Sequence, residues 1–270
     1  MTLTLRYEVI KCPSLQGGYT LEFDFTFFAI AIPAVLFAGV SKGGFGSGAS
    51  FAATPILALV LPPEMALGIL LPLLMLADVT TLGPYWKQWD WPSARNMMLG
   101  AVPGVALAVL IYRMTNPDVF RFLIGAVAIA FVFWQSALKY KLITLSVRPV
   151  SNTTGYVAGA TAGFASFVSH AGGPPVAVYL LAQGMGKTTF QATTVITFWV
   201  INCLKFVPYA FLGIFSWDTF KADLFLAPFM VIGALLGVKA HHLLPERYFF
   251  GLTYVLLMMT GSKLIWDALT

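Results

Sequence analysis

Two glycine-rich breaks carry the residues with the most chemistry to offer. The first is Val40-Ser41-Lys42-Gly43-Gly44-Phe45-Gly46-Ser47-Gly48, set between apolar stretches at 25–39 and 49–61. The second is Val168-Ser169-His170-Ala171-Gly172-Gly173-Pro174-Pro175. They lie 128 positions apart, so that Ser41 matches Ser169, Lys42 matches His170 and Gly44 matches Gly172. Each glycine in a helix costs about 1 kcal/mol relative to alanine, so four in six residues predict an interrupted helix. Where a helix breaks inside a bilayer, its N–H and C=O groups go unpaired, which is tolerated only within protein or beside a water-filled cavity. Half-helix N-termini offer N–H donors and partial positive charge, and glycine lets a ligand approach the backbone closely. Ser41, Lys42, Gly43, Gly44, Gly46, Ser169, His170, Gly172 and Gly173 are therefore candidates for holding a small anion. The plainer reading makes the breaks tight turns, with Lys42 reaching an interface and the serines capping.

Three more residues are polar where their surroundings are not. Lys205 lies within Trp199-Val200-Ile201-Asn202-Cys203-Leu204-Lys205-Phe206-Val207-Pro208, and Asp78 within Leu74-Met75-Leu76-Ala77-Asp78-Val79-Thr80. An ionisable residue in a membrane segment is a functional hypothesis that needs a partner. At the same offset Lys205 aligns with Ala77, so Asp78 and Lys205 occupy nearly equivalent places, and a salt bridge between them across a symmetry axis is expected. Asp78 would then take a proton, or hold Lys205 while no anion is bound; the alternative is that Asp78 caps or pairs structurally and Lys205 reaches an interface. Asn202 stands three residues before Lys205, on the same helical face, either lining a pathway or bridging two helices. Tyr179 and Gln183 could donate to an oxyanion, though packing is the simpler role.

The elements that must position these residues are apolar helices. Of 270 residues 59% are hydrophobic and 10% charged, with mean hydropathy +0.82. Soluble domains carry about 25% charged residues, so this chain is solvated by lipid. Apolar runs at 25–40, 49–61, 65–83, 96–112, 119–138, 153–168, 175–186, 188–213, 222–240 and 247–268 predict an all-α polytopic membrane protein. The runs 49–61 and 175–186 fall short of the ~20 residues of a span and read as half-helices. The offset of 128 recurs at Trp89-Asp90/Trp217-Asp218 and becomes 129 at Gly104/Gly233. Two repeats follow, at 25–138 and 153–268, joined by a linker at 139–152 and preceded by a tail at 1–24. Five segments per copy is an odd number, which makes the repeats inverted in topology. Lys139, Lys141 and Arg148 put the linker in the cytoplasm, with Lys87, Arg95, Lys187, Lys239 and Arg247 on the same side. Arg113, Arg121, Lys221, Lys263 and both termini then lie outside. Trp86, Trp89, Trp91 and Trp217 read as an interfacial belt.

Other chemistries find little support. The first apolar run begins near Phe23 and flows into the glycine break without a small-x-small site, so a cleavable signal is not expected. Cys12 and Cys203 are too few for a disulfide framework. The net charge of +5 is topological rather than a nucleic-acid footprint. His241 and His242 read as loop residues, and no cluster has zinc-like spacing, so neither cofactor nor metal is expected. Gly184-Met185-Gly186-Lys187-Thr188-Thr189 lacks phosphate-loop spacing. With no nucleophile–base pair, an enzyme is disfavoured.

On the segment 39–48 with Pro55, the break at Ser169–Pro175 and the duplicated layout from 25 to 268, the sequence resembles the sulfite exporter TauE/SafE family. That resemblance implies an inner-membrane exporter of small sulfur-containing anions such as sulfite or sulfoacetate and other organosulfonates. A passive anion channel, or a carrier of a non-sulfur organic anion, uses the same residues. The expected partners are the anion, the bilayer and a coupling proton or sodium ion; an oligomer is compatible with the sequence.

Overall fold

The structure, a computed structural model, describes residues 21, 23–45, 50–142, 151–240 and 246–270. Gly46, Arg148, His241, His242 and nearly all of the tail lie outside the described residues. Among the described residues there is no strand. The helices are α1 Phe25–Gly44, α2 Ala53–Leu57 after a 3-10 turn at Ser50–Ala52, α3 Pro63–Leu82, α4 Trp91–Met114, α5 Pro117–Lys139, α6 Asn152–Ser169, α7 Gly173–Ala182, α8 Lys187–Phe211, α9 Trp217–Ala240 and α10 Glu246–Leu269. Six of them, α1, α3, α4, α5, α8 and α9, are long and apolar enough to cross a membrane.

Helix starts follow local capping chemistry. Asp24 accepts from Phe27 N–H at 2.7 Å, Asp90 from Ser93 N–H at 3.0 Å and Asn116 from Val119 N–H at 2.9 Å. Each satisfies a backbone donor that the first helical turn leaves unpaired. The two expected half-helices are present as α2 and α7, each much shorter than a span. One boundary differs from expectation. The sequence reading ends the first helix near Val40, but α1 continues through Ser41, Lys42, Gly43 and Gly44, and the break begins at Phe45.

The reason is packing. A side chain at Gly43 or Gly44 would run into the carbonyls of Ala234 or Gly237 on α9. At Gly39 a Cβ would stand 2.8 Å from Met230 O and 2.9 Å from Ala234 N. From the other side, a Cβ on Gly233 would meet Leu36 O at 2.6 Å. In lipid, helix association depends on such close backbone approach rather than on a hydrophobic drive, and the association repays the helix propensity these glycines forfeit. Gly100 and Gly104 of α4 face the carbonyls of Tyr156 and Ala160 of α6 in the same way, Gly159 and Gly163 of α6 face those of Met97 and Ala101 of α4, and Gly125 of α5 faces Gly261 of α10.

These seams define the architecture. The most extensive pairings are α4 with α6, α1 with α9 and α5 with α10, followed by α3 with α9, α3 with α8 and α4 with α8. All six join a helix of the first half to one of the second. They are also reciprocal, as a two-fold relation between halves would produce: α1–α9 mirrors α6–α4, and α3–α9 mirrors α8–α4. The halves thus interlock instead of standing side by side.

Candidate functional site

The site is built where α1 and α6 end. Lys42 sits in the last turn of α1, where a cation is favoured by the unpaired carbonyls at a helix C-terminus. Its ammonium pairs with Asp78 Oδ1 of α3 and donates to Leu74 O at 3.1 Å. Asp78 Oδ2 accepts from Asn202 Nδ2 of α8 at 2.7 Å. Lys205, one turn further along α8, donates to Ser166 O at 3.0 Å and Ser166 Oγ at 2.9 Å, and bonds His170 Nδ1 at 2.9 Å. His170 Nε2 reaches Leu67 O of α3 at 3.3 Å. None of Lys42, Asp78, His170, Asn202 and Lys205 is more than 5% exposed.

The expected Asp78–Lys205 bridge is not formed. Asp78 pairs with Lys42, and Lys205 is satisfied by neutral acceptors. Pseudo-equivalent positions do not have to touch: each crossing-helix residue binds the break residue of its own half. Asn202 supplies the contact between them, from the same face of α8 as Lys205.

The expected role of the glycines also changes. Gly43 and Gly44 serve the approach of α1 to α9, and a Cβ on Gly172 would stand 2.7 Å from Ala162 O and 2.8 Å from Phe198. Among the described residues, neither break is rich in N–H donors. The first presents the C-terminal end of α1, and in α7 the second and third positions are Pro174 and Pro175, which have no N–H. At that second break only Gly172 and Gly173 keep the donors that the reading expected of a half-helix start. His170 closes α6 in the left-handed region at φ 56°, where histidine is among the more tolerated side chains. Ser169 Oγ turns back to Ala165 O at 3.3 Å, a local cap, and Ser41 is buried with its carbonyl accepting from Phe45 N–H at 2.9 Å. Tyr179 packs with Met97, Val176 and Leu180, and Gln183 closes α7, so neither joins the site.

Four residues enter that the sequence reading did not single out. Gln191 Nε2 donates to Lys42 O at 2.7 Å, and Tyr85 OH to Gly43 O at 2.9 Å, so two side chains cap the orphan carbonyls of α1. Ser166 holds Lys205, and Tyr209 OH donates to Phe167 O at 2.6 Å, anchoring α8 to the end of α6. Gln191, Asn202, Lys205 and Tyr209 recur at 11, 3 and 4 residues, one polar stripe on a mostly apolar helix. That periodicity was a usable signal. Tyr85 lies in the turn after α3 and had none. Its hydroxyl is pushed up to about 12 by burial, so it stays a donor across ordinary pH.

A polytopic helical bundle with a buried lysine at one of two paired helix breaks, a buried histidine at the other and a second buried lysine beside it is the construction of a membrane transporter for a small solute. The family comparison specifies the class: a family described as "Sulfite exporter TauE/SafE" matches residues 31–264, and the chain belongs to that family. It is a multi-pass membrane protein of a sulfite and organosulfonate transporter type. Comparison with curated proteins and with solved structures finds no match.

Proposed function

We propose that the chain exports a small sulfur-containing anion across the inner membrane by alternating access, and that the anion is held between Lys42 and Lys205. The supporting observation is one of charge. Among the described residues, the buried ionic groups are two ammonium ions and one carboxylate, with the imidazole of His170 beside them. Buried charges ordinarily come paired, because desolvating an ion is costly. An oxyanion is the complement to the surplus. The near-complete burial of the five site residues favours a carrier that occludes its substrate over an open channel. Asp78 is Lys42's internal counter-ion when substrate is absent, and it is the residue best placed to exchange a coupling proton.

The moving parts in this reading are not the two sequence repeats. The glycine seams bind α1 to α9 and α6 to α4, with α3 packed on α9 and α8 packed on α4. Rocking of one repeat against the other, the motion the repeats alone suggest, would pull every seam apart. Two mixed bodies meeting along α3 and α8 leave them intact. The topology itself, with the two halves inverted and the linker cytoplasmic, rests on the lysine and arginine pattern.

The test is ligand-dependent stabilisation of the purified protein across sulfite, sulfate, thiosulfate, sulfoacetate, taurine and acetate. A ligand that binds only the folded state stabilises by RT ln(1 + [L]/Kd), about 2.7 kcal/mol at a hundredfold excess over Kd. A shift with a sulfur oxyanion, lost in folded Lys42→Met and Lys205→Met variants, is the expected result. A Lys205→Met protein that binds and transports normally would remove that residue from the site.

A further inference from the structure

With Lys205 taken as an ammonium, the hydrogen-bond network also gives the charge that the site carries. The Lys205 ammonium has three N–H donors and no acceptor, and it has three neighbours: Ser166 O, Ser166 Oγ and His170 Nδ1. His170 Nδ1 therefore accepts, and its Nε2–H donates to Leu67 O. That is a neutral imidazole satisfied at both nitrogens, and a proton on Nδ1 would set N–H against ammonium. The Lys42–Asp78 pair cancels. Residues 46–49, between α1 and the 3-10 turn, are Gly, Ser, Gly and Ala and bring no ionisable group. The buried titratable side chains of α1, α3, α8, the end of α6 and the turn after α3 are Lys42, Asp78, Tyr85, His170, Lys205 and Tyr209; Cys203 of α8, a half-buried thiol, lies near Asp78. Asp223 of α9 has a buried Oδ1 without a partner, but the residue as a whole is only half-buried and forms no ion pair among the described residues. With both tyrosines neutral the enclosure carries a single positive charge.

We infer that the site accepts one negative charge per substrate molecule, so that monoanionic sulfonates and hydrogen sulfite are its ligands and a fully ionised dianion of the same shape is excluded. This inference rests on the proposed anion site and adds the charge state to it. A monoanion neutralises the enclosure, whereas a dianion leaves a buried negative charge without a partner. Sulfite itself is then carried after taking up one proton as hydrogen sulfite, with no change of oxidation state and no proton drawn from the protein.

Methanesulfonate and sulfate test this directly, because both are compact tetrahedral oxyanions differing by one charge. Uptake into proteoliposomes holding the full chain is measured for each at equal concentration and with the membrane potential clamped at zero. Native protein prefers methanesulfonate by at least about tenfold, which corresponds to about 1.4 kcal/mol. Asp78→Asn keeps an acceptor for Asn202 while raising the enclosure by one positive charge, and narrows that ratio about tenfold or more. Sulfate carried as well as methanesulfonate by native protein would overturn the charge assignment while leaving an anion transporter in place, and this arm needs no variant to fold. An Asp78→Asn protein that transports with an unchanged ratio would overturn it equally. No uptake of methanesulfonate, sulfate or sulfite by folded native protein would overturn the transporter reading itself, and the charge assignment with it.

Discussion

Removing one partner of the Lys42–Asp78 pair separates a structural role from a functional one. In Asp78→Ala the Lys42 ammonium retains only Leu74 O at 3.1 Å, and the Asn202 amide loses its 2.7 Å acceptor. Both sites are closed to water, since Lys42 and Asp78 are 5% and 1% exposed. Breaking a buried pair by deleting one member leaves an uncompensated charge and costs about 3–5 kcal/mol. Replacing both members is much milder, because the desolvation penalty goes with the charges. The double variant Lys42→Met/Asp78→Asn also preserves an acceptor for Asn202. Its stability is expected within about 2 kcal/mol of native. Stability is followed by thermal melting in detergent, and function by anion flux into proteoliposomes. The double variant melts near native and does not transport. If it transports at the native rate, the pair is a structural clamp and Lys42 has no place in the substrate site. If Asp78→Ala melts like native, the pair does not carry the energy assigned to it.

The α1–α9 seam and the cap at Tyr85 give two further expectations. Gly39→Ala puts a methyl against Met230 O and Ala234 N and is expected to lower stability by about 1–3 kcal/mol, whereas Gly251→Ala, with nothing within 4 Å, gains up to about 1 kcal/mol in helix propensity; equal melting temperatures would refute the seam. Tyr85 has its folded value pushed from 10.0 to about 12, so the folded state holds a proton that the unfolded chain releases across that window; the associated stability is complete below pH 10 and is lost as pH rises to about 12. Tyr85→Phe should therefore melt with a flatter profile over pH 10–12 than native protein, by no more than about 3 kcal/mol at the alkaline end, and parallel profiles would argue against that burial.

Much of the bundle is legible because lipid imposes a simple code. Apolar length marks the spans, and the 128-residue offset marks the duplication. The breaks are visible too, since glycine clusters and paired prolines have few other uses inside an apolar run. What composition cannot supply is the partner of each polar residue. Lys42 and Asp78 are 36 residues apart and in one half, while the symmetry argument looked across halves for Lys205. Partner choice depends on the rotation of α1 and α3 about their own axes, which the glycine seams set. Gly43 and Gly44 read from sequence as ligand approach or as tight turns, and the close approach of helices that they and Gly39 serve has no mark in the sequence to set it apart. Gln191 was legible as a member of the α8 stripe. Ser166 and the backbone acceptors Leu67 O and Leu74 O had no sequence signature beyond being near a break.

The distribution of strong and weak bonds bears on which surfaces slide. Lys42–Asp78 lies within α1 and α3, and Lys205–Ser166–His170 within α8 and the end of α6. Between these groups run Asn202 to Asp78, His170 to Leu67 O, and Gln191 to Lys42 O. Neutral hydrogen bonds contribute about 0.5–1.5 kcal/mol each and those to a charged group about 1.5–3 kcal/mol. Parting α3 from α8 thus costs a few kcal/mol, much of it recoverable by new bonds to an entering anion. Opening α1 from α9 would separate backbones in close contact with no compensating ligand. Spin labels can distinguish the two, after replacement of Cys12 and Cys203. A pair at the exposed positions Val79 of α3 and Val207 of α8 should change separation when a saturating sulfur oxyanion is added. A pair at the exposed positions Phe25 of α1 and Trp217 of α9 should not. A ligand-dependent shift confined to the second pair would place the moving surface at the glycine seam and refute the division into mixed bodies.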